Sequence, residues 1–245
     1  MDFTLAYGRR ELKLRLDDKR QRVTLLEPKQ ARYDPVGQAL AAPIGCPRLS
    51  EMVQSGSSVV IVTSDITRVC PTQVMLPPLM AELAKAGVED GQVTVVFALG
   101  SHRAHTAEEQ AKLVGPEMAA RLRLLDSDPR QTIYVGQTSR GTPIEAFEPV
   151  VRADVRIALG NVEPHYFAGY SGGAKALVPG VCSLATIQGN HAMMVMPAAR
   201  AGVLDGNPVR EDIEEGAALI GLDFILNVIV DGDHRILAAA AGHPV

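Results

Sequence analysis

Three stretches of the chain are apolar almost without a break: SSVVIVTSD (57–65), QVTVVFALG (92–100) and VRIALGNVE (155–163). Continuous runs of this length, rich in valine and isoleucine, predict strands buried on both faces, as in a parallel sheet. Segments of helical character separate and follow them. TQVMLPPLMAELAKAG (72–87) predicts a helix at least from Pro78 to Ala86. TAEEQAKLVGPEMAARL (106–122) predicts one capped by Thr106, with Glu108 and Glu109 in its first turn. SLATIQGNHAMMVM (183–196) predicts a helix capped by Ser183, and NPVREDIEEGAALIG (207–221) one with Asn207 as N-cap and Pro208 at its first position. Shorter strands fall within 122–137 and 142–148, and DFILNVIVDGDHRILAAAAGHPV (223–245) reads as a hairpin turned at Asp231-Gly232. The chain opens differently. FTLAY, then ELKLRL with strict alternation, then RVTLLEP predict an N-terminal β-ribbon, and residues 31–45 read as a connection with one short apolar run. No repeat or low-complexity segment interrupts the pattern. The fold class it predicts is α/β: a mixed, mostly parallel sheet flanked by helices, with that ribbon in front.

Composition narrows the class of function. A length of 245 residues suffices for one large or two modest domains with a buried core. Hydrophobic residues at 47% and charged residues at 21% fit a globular chain rather than a disordered one. The net charge is −4 and no Lys/Arg run is present, which argues against a nucleic-acid partner. The N-terminus lacks the apolar core of a secretory signal, and no stretch approaches the roughly 18 consecutive apolar residues of a membrane span. Cys46, Cys70 and Cys182 are odd in number and never in CxxC spacing, which argues against a disulfide framework or a zinc site. Together these features predict a soluble cytoplasmic protein without a membrane partner.

The candidate chemistry sits where the three buried strands end. TSDITRVCP follows the first, GSHRAHT the second and GNVEPHYFAGYSGG the third. Open α/β sheets bind ligands beyond the carboxyl ends of their strands, so the coincidence points to one site. Asp65 and Arg68 are either a solvated ion pair or an anion clamp, since arginine offers a two-pronged donor to a carboxylate. His102 stands nearest its strand end, as a general base would. His105 reads as an inert surface-loop histidine. His165, after Pro164 at the third strand's end, reads by itself as a hydrogen-bonded loop histidine. GYSGGAK (169–175) does not spell the phosphate-binding loop: that motif needs Gly at 174 and Ser or Thr at 176, where Ala174 and Ala176 stand. What remains is a flexible loop, a helix start suited to an anion, and one lysine. His191 lies in a helix without partners at ligand spacing, so a metal there would need other ligands from a cofactor.

SDITRVCP, GSHRAHT, EPHYFAGYSGGAKALVPG and QGNH, in this order and spacing, resemble the nickel-dependent lactate racemases and related 2-hydroxyacid racemases and epimerases. The likeness runs from about residue 5 to the end. It implies a nickel pincer nucleotide, a pyridinium bis-thiocarboxylate mononucleotide, attached to Lys175 through a thioamide and completed by His191 as the metal ligand. Three soft donors from the cofactor would then fill the rest of a square-planar nickel site. The resemblance also implies inversion of a small 2-hydroxy acid through a 2-keto acid, with hydride leaving and returning to Cα. His102 and His165 would serve as the catalytic bases and Arg68 would bind the substrate carboxylate. Asp65, Tyr166, Ser171 and Gly172 would contact the cofactor, which maturation enzymes supply.

The family carries a second, smaller domain after this core, whereas the sequence stops at AAAAGHPV. Residues 1–245 are therefore expected to be the N-terminal cofactor-binding domain, or a short relative, with little turnover alone. Two other readings stay open: a non-catalytic carrier of a nucleotide or nickel cofactor, which would not need two bases, and an epimerase of sugar acids.

Overall fold

The computed structural model describes residues 2–7, 10–17, 19–20, 22–24 and 34–244. The chain divides into two compact units, residues 1–30 and 31–245. In the first, β1 (Asp2–Tyr7) pairs antiparallel with β2 (Arg10–Arg15), Leu5 opposite Leu12. This is the expected ribbon, short of its third strand: Arg22–Thr24 form no strand, and the rest of RVTLLEP lies outside the described residues.

In the second unit the chain runs through α1 (Pro35–Ala41), α2 (Leu49–Met52), β3 (Val59–Ser64), α3 (Thr72–Lys85), β4 (Val93–Ala98), α4 (Ala107–Val114) and α5 (Pro116–Arg121). It continues with β5 (Arg123–Asp126), β6 (Thr132–Gln137), β7 (Pro143–Phe147), α6 (Glu148–Arg152), β8 (Val155–Asn161), β9 (Pro164–His165) and β10 (Gly169–Tyr170). It ends with α7 (Leu184–His191), α8 (Pro208–Ile220), β11 (Phe224–Val230) and β12 (Ile236–Gly242). A six-stranded sheet in the order β12-β11-β8-β3-β4-β5 forms the centre, parallel except for β12, as the sequence pattern predicts. The three continuous apolar runs are three adjacent interior strands, β8, β3 and β4. Both of their faces are covered. Ile61, Val95, Phe97, Ile157 and Leu159 pack with α1, α2 and α3 in one core, and Val60, Val62, Val96 and Ala158 with α8 and the 174–182 segment in another. Among the described residues no helix is long and apolar enough to cross a membrane.

Several boundaries differ from the expected ones. The supposed connection 31–45 contains α1, started by Pro35 and by the Asp34 carboxylate accepting the Gly37 N–H at 3.0 Å, and it buries Val36 and Leu40. Helix α3 begins six residues before Pro78, at Thr72, because its start is held by a buried 2.7 Å hydrogen bond between the Thr72 and Thr63 hydroxyls. The 106–122 helix breaks at Gly115, whose φ of 85° leaves the helical region, and resumes at Pro116. After His191, α7 tightens into a 3-10 turn over Ala192–Val195. The last hairpin turns through residues 231–235, where the Asp231 carboxylate accepts the Asp233 and Arg235 N–H groups. The caps at Thr106, Ser183 and Asn207 form as expected, each accepting a backbone N–H with its side chain.

Candidate active site

Because β8, β3 and β4 are adjacent and parallel, their carboxyl ends open side by side, and the three polar loops meet there. All nine residues singled out from the sequence (Asp65, Arg68, His102, His165, Tyr166, Ser171, Gly172, Lys175 and His191) line one cleft of about 280 Å³.

The first two loops are pinned together. Asp65, 3% exposed, follows β3 and accepts hydrogen bonds from the Thr67 hydroxyl at 2.9 Å and from His102 Nδ1 at 2.8 Å. A carboxylate can only accept here, so His102 carries its proton on Nδ1 and keeps the Nε2 lone pair free. Asp65, expected as a cofactor contact, thus also orients a histidine. His105 departs from expectation: its side chain is 1% exposed rather than on the surface. Its Nδ1 lies 2.7 Å from Asp126 Oδ1, and its Nε2 accepts the Ile66 N–H at 3.1 Å. It ties β5 to the peptide beside Asp65.

The third loop folds back on itself. β9 and β10 form a two-residue ladder that sets His165 opposite Gly169, whose φ is 76°. A Cβ on Gly169 would lie 2.1 Å from the Val203 carbonyl oxygen, so only glycine fits. The Ser171 hydroxyl is engaged with backbone, donating to the Asn161 carbonyl at 2.6 Å and accepting the Glu163 N–H at 3.0 Å. At Gly172, φ 78°, a Cβ would meet Asn227 Oδ1 at 2.9 Å, so this glycine serves the packing of the loop on β11. Gly173 N–H donates to the same Asn227 oxygen at 3.1 Å. Lys175 follows in a 3-10 turn over Gly173–Ala176. Phe167, 4% exposed, stands edge-on to both His165 and His191, with ring centroids 4.6 Å and 5.0 Å away.

The electrostatics are those of a half-buried cationic site. Burial lowers the Lys175 pKa to about 8, helped by Arg68 and Arg210 and opposed by Glu163. Burial likewise lowers His165 to about 4, reinforced by Lys175, Arg68 and His191. His191 is lowered by burial and by Lys175. His165 and His191 therefore favour their neutral forms more than unburied histidines do, and Lys175 gives up its proton at a lower pH than an unburied lysine. Residues absent from the sequence reading also belong here. Asn161, 9% exposed, lines the cleft with a buried side-chain oxygen that has no hydrogen-bond partner, and Glu163 lines it as the counter-charge to Lys175. A lone amide closing an apolar strand run was a readable signal for Asn161. Among the described residues no group of three or more His, Cys, Asp or Glu could hold a metal.

Residues 7–202 match the family model described as the lactate racemase N-terminal domain. The chain belongs to that family. The lactate racemase of Thermoanaerobacterium thermosaccharolyticum is 35% identical over 251 residues, covering 98% of this chain and 58% of the relative. That of Lactiplantibacillus plantarum is 30% identical over 249 residues, covering 97% and 58%. The chain thus spans less than two thirds of the length of these relatives. The solved structure of the T. thermosaccharolyticum lactate racemase apoprotein superposes with a TM-score of 0.89 at 34% identity, over 100% of this chain and 59% of that one. A Thermotoga maritima structure, at 23% identity and TM-score 0.68 over 84% of this chain and 53% of that one, shares the fold.

The lowered histidine carries a pH signature. The unfolded chain protonates His165 near its ordinary 6.5, and the folded chain only near 4. Between those values the unfolded state holds the extra proton. This contribution to stability is complete above about 6.5 and is lost as pH falls toward 4. His165→Asn should flatten that part of the profile, read from urea midpoints at successive pH values. An unchanged slope in the variant would place the titration elsewhere.

Proposed function

We propose that this chain is the catalytic core of a racemase of lactate or a close 2-hydroxy acid, holding a nickel pincer nucleotide tethered to Lys175. The observation that carries the reading is the convergence of the nine residues named from the sequence on one cleft at the ends of three adjacent parallel strands.

The residues present fit such a group. Lys175 has no side-chain hydrogen bond or ion pair among the described residues, and its lowered pKa raises the share of the neutral amine that bond formation requires. His191 is a single imidazole without protein co-ligands among the described residues, which suits a metal that brings its other donors with it. Asn161 offers a buried acceptor with no donor among the described residues, as a polar ligand in the cleft would need. When bound, the group supplies a reversible hydride acceptor for the substrate's Cα. Maturation enzymes would deliver it.

The chain's own part is to bind, orient and move the hydroxyl proton. Arg68 lines the cleft with no side-chain partner among the described residues and suits the substrate carboxylate. The two histidines are not equivalent at rest. His102 presents a bare Nε2, fixed by Asp65, and so accepts the hydroxyl proton. His165 Nδ1 accepts the Ala168 N–H at 3.3 Å, so its proton sits on Nε2 as a donor to the substrate oxygen. Inversion requires these roles to exchange, and the long His165–Ala168 bond is the weaker of the two constraints. With His102 42% exposed and Tyr166 74% exposed, water reaches the cleft, and turnover by these residues alone is expected to be low.

Racemisation in heavy water tests the reading. Hydride chemistry should return lactate with its original Cα hydrogen. Extensive deuterium at Cα would instead indicate proton abstraction and remove the case for His102 and His165 as hydroxyl bases.

A further inference from the structure

Behind His191 runs a buried hydrogen-bond chain that the reaction does not use. Asn190, 0% exposed, donates through Nδ2 to the Val209 carbonyl at 3.1 Å and to Asp212 Oδ2 at 2.8 Å. Asp212, also 0% exposed, takes a second hydrogen bond from the Thr138 hydroxyl at 2.5 Å. A carbonyl and a carboxylate both accept, so the end of the Asn190 amide facing them must be its NH2 group. Its oxygen is thereby forced toward His191, whose Nδ1 lies 3.2 Å away. An amide oxygen only accepts, so Nδ1 must carry the imidazole proton. The direction of every bond follows from Asp212 outward.

We infer that Asn190 and Asp212 are positioning residues that lock His191 with Nδ1–H, so that the Nε2 lone pair faces the cleft as a metal donor. The inference rests on the cofactor reading for what His191 binds, but not for its tautomer. An outer partner on the far nitrogen fixes ring orientation and raises ligand basicity, and losing one typically costs about 10–100-fold in metal affinity. Asp212 lies 22 residues from Asn190, on α8, so the relay joins α7 to α8.

Long-range proton–nitrogen correlation on 15N-labelled protein reads the tautomer directly, with the His191 signals assigned by their loss in His191→Asn. The protein without cofactor should show Nδ1 protonated and Nε2 bare, the reverse of the tautomer that free histidine favours in water. Asn190→Ala should convert His191 to Nε2–H, whereas Asp212→Asn should weaken the Nδ1–H preference without reversing it, since the Val209 carbonyl still accepts from the Asn190 amide. After maturation, nickel retained by Asn190→Ala should fall about tenfold or more while the organic adduct on Lys175 persists. An Nε2–H signal in the unsubstituted protein overturns the relay, whether or not either variant folds, as does an unchanged tautomer in both variants. The correct tautomer with no adduct on Lys175 supports the relay and counts against the cofactor reading alone.

Discussion

Amine acetylation should modify Lys175 with a pH midpoint near 8, while the exposed lysines follow their ordinary midpoint near 10.4. At pH 8 about half of the Lys175 amine is neutral, against roughly 0.4% of an unperturbed lysine, a difference of about two orders of magnitude. Burial is the main cause, since the ammonium loses water it cannot replace. The neighbouring charges give the effect a direction that substitutions can reverse. Arg68→Gln removes a repelling charge and should raise the midpoint, whereas Glu163→Gln removes an attracting one and should lower it. Quantitative mass spectrometry of the Lys175 peptide across pH follows the midpoint, so slower access of the reagent to a buried amine does not obscure it. A midpoint near 10 would mean that Lys175 is an ordinary ammonium at neutral pH and poorly prepared for covalent attachment.

Loss of either histidine should lower racemisation of the matured enzyme by about 10²–10⁴-fold, the usual worth of a positioned acid or base. His102→Ala and His165→Ala should both reduce kcat/KM equally in the two directions, because enantiomers have equal free energies and every turnover needs proton transfer on both sides of the inversion. Asp65→Asn gives the sharper result. It preserves shape, but its NH2 group can face His102 Nδ1, which moves the imidazole proton to Nε2 and removes the accepting lone pair. A loss close to that of His102→Ala is expected, as when an orienting carboxylate elsewhere is changed to its amide. Near-normal turnover in Asp65→Asn would mean that the Asp65–His102 bond does not set the base.

The sequence carries the sheet and the address of the site more fully than its wiring. The runs at 59–64, 93–98 and 155–161 are legible because a strand buried on both faces has no polar positions to confuse its pattern. The caps Thr106, Ser183 and Asn207 are legible because capping is local. Helix α1 was hidden among turn residues, although Asp34-Pro35 is a start signal in its own right. The pairings are a different matter. Asp65 meets His102 across 37 residues and His105 meets Asp126 across 21, distances over which no local period survives. His105 looks like a solvated loop residue until the fold wraps β5 around it. The unpartnered Asn161 side-chain oxygen likewise shows only once the chain is folded, because burial and pairing are set by segments distant in sequence.

The central claim is that this cleft holds a group covalently tethered through Lys175. Peptide mass spectrometry of protein produced together with the cofactor-maturation enzymes tests it most directly. The account predicts a mononucleotide-derived adduct on the peptide containing Lys175, absent from Lys175→Ala and retained without full nickel in His191→Ala. An adduct on another residue, or one that survives in Lys175→Ala, would contradict it.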